Sequence, residues 1–138
     1  VAAPLKEAGA KRVLPLKVSG AFHSPLMEVV QGDFASFLAD IPLQEAVCGV
    51  VTNVEAAPVS EAEALRKGFV QQLVSPVRWH ESVAAMAEDG IDSFLESGPG
   101  NVLTNLGSRG FRDRSFAARS DVAGVEKVLA TLQSARSE

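Results

Sequence analysis

Two periodicities take turns along this chain. Short apolar runs rich in Val and Ile suit strands, and stretches with apolar residues at steps of three and four suit amphipathic helices. Residues 1–8 read as the end of a helix closed by Gly9. Residues 12–18 read as a strand, and Pro15 within it argues for an edge or an irregularity. A helix is predicted over 25–39, opened by Pro25, with Met27, Val30, Phe34, Phe37, Leu38 and Ile41 on one apolar face and Gly32 weakening its middle. Pro42 ends it, and 47–52 reads as the next strand. Ser60 with Glu63 forms a capping box that opens a helix carrying Leu65, Phe69, Val70 and Leu73, closed by Ser75-Pro76. A further helix spans 79–87, with Trp79, Val83 and Met86 in register, and Glu88-Asp89-Gly90 ends it. A strand follows at 91–95, then a helix at 101–108 with Val102, Leu103 and Leu106 inward, broken by Gly107 and Gly110. The last elements are a short strand at 116–118 and a helix capped by Asp121, with Val125, Val128, Leu129 and Leu132 inward and frayed ends over 133–138. Strands alternating with helices predict the α/β class.

Composition narrows the functions. The 138 residues suffice for one core, and 46% hydrophobic with 22% charged residues is the ordinary globular balance. A net charge of −4 provides no basic field for nucleic acid or anionic lipid. No apolar run nears the ~20 residues of a membrane span. The single Cys48 excludes a disulfide framework, fits a reducing cytoplasm, and reads as a small buried hydrophobe in Val47-Cys48-Gly49-Val50-Val51. No cluster of His, Cys, Asp and Glu has metal-ligand spacing, so no metal site is expected. There is no internal repeat or low-complexity segment.

The first candidate for chemistry is His23. It stands in a short turn between a strand and a helix, with Ser19-Gly20-Ala21 before it and Pro25 after it. Loops of α/β proteins carry their chemistry at such places, and imidazole is the side chain that titrates near neutrality unaided. A polar loop histidine with no task is the competing reading. Asn53 follows the end of the 47–52 strand, where ligands sit in open α/β sheets. It is either a hydrogen-bond donor to substrate or a plain turn residue. Gln72 lies in the last turn of its helix, where main-chain carbonyls lack intrahelical partners. Leu26 and Met27 are core residues or the lining of a substrate pocket. Trp79 reads as a core anchor, His80 as surface, and Arg78 either as a phosphate or acidic-partner contact or as a solvated charge. The Ser97-Gly98-Pro99-Gly100 loop lacks the Lys-Ser/Thr of a phosphate loop and reads as a structural element beside the His turn. Arg109, Arg112 and Arg114 form a basic patch or an ordinary solvated turn.

Three blocks carry a resemblance to a known family. Gly20-Ala21-Phe22-His23-Ser24-Pro25-Leu26-Met27 is similar to the histidine motif of the malonyl-CoA:acyl carrier protein transacylases and of acyltransferase domains of fatty-acid and polyketide synthases. Gln71-Gln72-Leu73-Val74-Ser75-Pro76-Val77-Arg78-Trp79 is similar to the next block, a Gln-Leu pair followed by Pro-Val-X-Trp. Glu96-Ser97-Gly98-Pro99-Gly100-Asn101-Val102-Leu103 is similar to the third, a Gly-Pro-Gly loop entering a helix. The blocks stand in the family's order and cover residues 9–107 or so.

The resemblance implies the C-terminal part of an acyltransferase core, an α/β-hydrolase-like parallel sheet with flanking helices. Residues 1–18 would be the tail of a ferredoxin-like subdomain and 19–138 the core. The family's Gly-X-Ser-X-Gly elbow is absent: no serine here has glycines two residues before and two after. The nucleophile and the malonyl-binding arginine are therefore expected in an N-terminal half outside this chain. By resemblance His23 is the general base, the main-chain carbonyl of Gln72 orients it, and Phe22 narrows the acyl site toward malonyl. Asn53 is the candidate substrate contact. The implied partners are malonyl-CoA, acyl carrier protein and the missing N-terminal half, in the cytoplasm. No cofactor is implied, because coenzyme A enters as the thioester donor. A polyketide-synthase domain fragment, an inert fragment and a docking subunit are the alternatives.

Overall fold

The computed structural model describes residues 2–15 and 18–135, with side chains described as far as residue 130. Helix α1, Ala2–Glu7, leads the chain. Gly9 at φ +96° closes it, with Gly9 N–H donating to Lys6 O at 3.0 Å and Ala10 N–H to Leu5 O at 3.0 Å. This paired closure uses a left-handed residue that glycine adopts without strain. Residues 12–15 and Val18 are not in a strand, contrary to expectation, and Leu16 and Lys17 lie outside the described residues. Pro15 offers no ladder donor, and no described strand pairs with this stretch.

The predicted 25–39 helix divides into a 3₁₀ turn at Pro25–Met27 and helix α2, Glu28–Ala39. Strand β1 is only Val50–Val51 and pairs antiparallel with β2, Pro58–Val59. Helix α3, Ala62–Gln71, begins one residue after Glu61, and its N-cap makes no side-chain bond, so the expected Ser60–Glu63 box does not form. Instead Glu63 pairs with Arg66 at 3.1 Å, while Arg66 Nη2 also donates to Ile41 O at 3.1 Å.

Helix α4, Trp79–Glu88, ends on Gly90 at φ +91° with the same closure that Gly9 gives α1. Strands β3, Ser93–Ser97, and β4, Ser115–Arg119, then run parallel with Ser93 opposite Ser115 and Ser97 opposite Arg119. Helix α5, Val102–Gly110, connects them, and α6, Val122–Ala135, follows β4. Asp121 caps α6 as expected, accepting from Gly124 N–H at 2.6 Å.

Gly107 does not break α5. It lies buried within the helix, and a Cβ there would come under 3.0 Å from ring carbons of Phe116. The Phe116 ring is stacked on Phe94 at 4.7 Å between centroids, so this glycine lets α5 lie flat on the sheet.

The fold is thus α/β with a small parallel sheet. Among the described residues the buried apolar side chains are Leu38, Ala56, Leu65 and Val83. Val30 and Phe37, expected inward, are 40% and 63% exposed, although α2 packs on α3. Val102, Leu103 and Leu106 of α5 and Leu129 of α6 are exposed as well.

Candidate functional site

The His turn is built from local chemistry. Ser24 is extended at φ −142°, its hydroxyl donates to Ala21 O at 2.7 Å, and its carbonyl accepts from Met27 N–H at 3.0 Å. Pro25 starts the 3₁₀ turn. The Phe22 ring folds back over Gly20, where a Cβ would meet Phe22 Cε2 at 3.1 Å. Phe22 remains 57% exposed.

His23 occupies the left-handed region at φ 61°. For a residue with a Cβ this costs of order 1–3 kcal/mol and persists only where tertiary contacts enforce it. One such contact is plain: His23 Nδ1 lies 2.9 Å from the main-chain oxygen of Gln72. A carbonyl oxygen only accepts, so Nδ1 carries the proton in the neutral ring and Nε2 presents a lone pair.

Gln72 is the C-cap of α3 at φ −62°, ψ −22°. Its N–H is used inside the helix, donating to Gly68 O at 3.0 Å, while its carbonyl is among the orphans every helix end leaves. Gln31 of α2 donates to Val70 O at 3.3 Å and ties α2 to this end of α3. Asn53 does come to the site. Its side-chain Nδ2 donates to Gln72 Oε1 at 3.1 Å, which gives the amide a protein partner. His23, Gln72 and Asn53 are therefore joined in series by two hydrogen bonds.

Sequence reading missed what holds Asn53. Thr52 is buried, and its hydroxyl accepts from Glu55 N–H at 3.2 Å. Arg78 is exposed but tied to the turn that carries Asn53. Its N–H donates to Asn53 O at 3.0 Å, its Nη1 to Val54 O and Glu55 O at 3.2 Å each, and its Nε pairs with Glu81 at 3.4 Å. The backbone N–H of Glu81, and then Arg78, hold the Glu81 carboxyl below its ordinary value.

Other candidates lie elsewhere. His80 is exposed, as expected, and stacks on Phe111 at 4.9 Å. Cys48 is exposed, against expectation, because the strand it was assigned to pairs only at Val50–Val51 and leaves its flank uncovered. In the 97–100 loop, Gly98 at φ +149° and Gly100 at φ +91° face open space, and Gly98 N–H donates to Arg119 O at 3.0 Å, so the loop is tied to β4. Glu96 of β3 caps α5, accepting from Leu103 N–H at 3.2 Å and Thr104 N–H at 2.8 Å. The Thr104 N–H is the largest cause holding its carboxyl below the ordinary value. Of the basic patch, Arg114 turns inward, pairing with Asp113 at 2.7 Å, and Arg109 and Arg112 stay exposed. Among the described residues no group of three His, Cys, Asp or Glu could hold a metal, and no helix is long and apolar enough to cross a membrane.

An imidazole with one nitrogen pinned and the other presenting a lone pair is a proton acceptor waiting for a donor. Residues 2–135 match the acyl transferase domain family. The malonyl CoA-acyl carrier protein transacylase of Staphylococcus aureus is 41% identical over 122 residues, which are 86% of this chain and 40% of that protein. Its namesake in Bacillus subtilis is 37% identical over 128 residues, 93% of this chain and 40% of that protein. Among solved structures, MCAT from Streptococcus pneumoniae aligns with TM-score 0.83 at 37% identity, covering 94% of this chain and 42% of that one. A malonyl-transacylase in complex with its type II PKS acyl-carrier protein aligns with TM-score 0.83 at 41% identity, covering 91% of this chain and 41% of that one. The chain thus spans about 40% of the length of the curated relatives it matches.

Proposed function

This chain belongs to the acyl transferase domain family, and we propose that it supplies the histidine part of a malonyl-CoA:acyl carrier protein transacylase. The observation that carries the reading is the 2.9 Å approach of His23 Nδ1 to the Gln72 carbonyl. It fixes the tautomer that a general base needs, with a main-chain carbonyl doing the orienting that a carboxylate does in a Ser-His-Asp triad.

In this reading the nucleophile is a serine of the remaining acyl transferase segment. His23 Nε2 takes the serine proton as the oxygen attacks the malonyl thioester. The tetrahedral intermediate collapses, the C–S bond breaks, and the departing coenzyme A sulfur takes that proton from Nε2. The carrier's phosphopantetheine thiol then gives its proton to Nε2 and attacks the malonyl-serine ester. The C–O bond breaks and the serine regains its proton from Nε2. The covalent intermediate divides one transfer into two similar steps. Each step passes through an imidazolium, which a neutral carbonyl stabilises less than a carboxylate would. No cofactor takes part. Phe22 sits beside the base, where ring bulk would disfavour a branched acyl group by ~1–3 kcal/mol. The setting is cytoplasmic fatty acid biosynthesis.

The remaining segment is also the proposed cover for the apolar side chains left open. A folded monomer of 14.5 kDa exposes about 6,900 Å² by the usual scaling, and this chain exposes 10388 Å².

A chimera tests the reading: this chain replaces the matched 122 residues of the Staphylococcus aureus relative. Malonyl transfer to acyl carrier protein is expected. His23→Ala is expected to lower turnover by 10²-fold or more, in the range of general acid–base catalysis. A folded His23→Ala chimera with undiminished turnover would overturn the assignment of the base.

A further inference from the structure

Asn53 does more in this geometry than occupy a turn. We propose that it is a positioning residue, which acts through the Gln72 side chain to hold the carbonyl that fixes His23. This rests on the reading of His23 as the base. The Asn53 amide donates to Gln72 Oε1 at 3.1 Å, and Gln72 O receives the His23 proton at 2.9 Å.

The Gln72 peptide plane needs such help. The Gln72 N–H, in the preceding peptide unit, is anchored inside α3, but the carbonyl lies in the peptide shared with Leu73 at the helix end, where no further turn of backbone fixes it. The turn that carries Asn53 is rigid enough to supply the anchor. Thr52 closes it twice, by its hydroxyl to Glu55 N–H and by its carbonyl to Ala56 N–H at 3.1 Å. Thr52 also packs on α3 itself, since a Cβ at Gly68 would lie 3.4 Å from Thr52 Cγ2. The same turn receives three donations from Arg78 through the carbonyls of Asn53, Val54 and Glu55. The 72–78 connection is therefore gripped at both ends by residues 53–55, and Asn53 is the residue that touches both. The strained φ of 61° at His23 makes the imidazole depend on such support.

The test is the ring ¹⁵N spectrum of the full chain labelled at histidine, recorded above the imidazole titration. The chain has two histidines, so His80 serves as an internal reference. Wild type is expected to show His23 as the Nδ1–H tautomer. Asn53→Ala should lower the ratio of Nδ1–H to Nε2–H about fivefold, the equivalent of losing one neutral hydrogen bond of about 1 kcal/mol. Gln72→Ala keeps the carbonyl and removes the same side-chain bond, so it should give the same change. The double variant should add nothing further. An unchanged His23 tautomer in Asn53→Ala overturns the proposal, as does an equal movement of His80, which would mark a general loosening. Val83→Ala, which opens the core without removing any of these hydrogen bonds, should destabilise without moving the tautomer. This readout requires no turnover, so failure of the base assignment in the chimera and failure of the positioning role are seen separately.

Discussion

Two glycines in helices give opposite predictions for the same substitution. Gly32 lies inside α2 with nothing within 4 Å of a Cβ built there. Gly107 lies inside α5, where a built Cβ comes under 3.0 Å from ring carbons of Phe116. Helix propensity alone favours Ala over Gly by about 1 kcal/mol at either position. At Gly32 no other effect opposes it, so Gly32→Ala should stabilise by about 1 kcal/mol. At Gly107 the new methyl must displace a ring stacked on Phe94 at 9° between planes, which disturbs that stack. Overpacking of this kind costs ~1–3 kcal/mol, and the closeness of the contact places it at the upper end. The net effect of Gly107→Ala is then a loss of about 2 kcal/mol. For a chain of this size 1 kcal/mol moves Tm by ~3–4 °C, so Gly32→Ala should raise it by ~3–4 °C and Gly107→Ala lower it by ~6–8 °C. Thermal and urea melts followed by circular dichroism measure both. Phe116→Leu added to Gly107→Ala should recover part of the loss, with a coupling above about 1 kcal/mol. Equal movement of both single variants in one direction would refute the packing role of Gly107.

Glu96 gives a pH signature. Its carboxyl is held below the ordinary value by the N–H groups at the start of α5, so its contribution is present above the unfolded-state pKa and lost as pH falls through the folded-state one. Urea midpoints measured downward from pH 7 should fall across the acidic range in wild type and fall less in Glu96→Gln. His80→Ala removes an exposed ring stack on Phe111, should cost about 0.5 kcal/mol, and should leave transfer by the chimera intact, whereas His23→Ala should lower it by about 10²-fold or more. Cys48 is exposed, so a thiol reagent should label it in the native chain as fast as in urea; slow native labelling would place it under cover.

Element types were legible in the sequence because their causes are local. Pro25, Gly9, Gly90 and Asp121 act through their own backbone or one neighbouring turn, and each stands where the chain starts or stops a helix. The His turn was legible for the same reason. The Asn53–Gln72 link was not, since it joins residues 19 apart and follows only once β1 and α3 are packed. Gly107 was misread for a related reason: a glycine that breaks a helix and one that lets a ring approach it look alike until Phe116 is in place. Burial was the least legible property. Val30, Phe37, Val102 and Leu106 keep the spacing of core residues and yet lie open. Periodicity shows which residues share a face, and whether that face is covered depends on what packs against it. The excess over an ordinary monomer, about 3,500 Å² from the 10388 Å² exposed, is the area the proposed neighbour would have to cover. It is several times the ~800 Å² that one partner contributes to a standard interface, and closer to a domain core cut in half. Such a face calls for a segment of the same fold rather than a transient partner. That is also what the proposed serine requires, because a nucleophile within reach of His23 must come from a body seated firmly against this one.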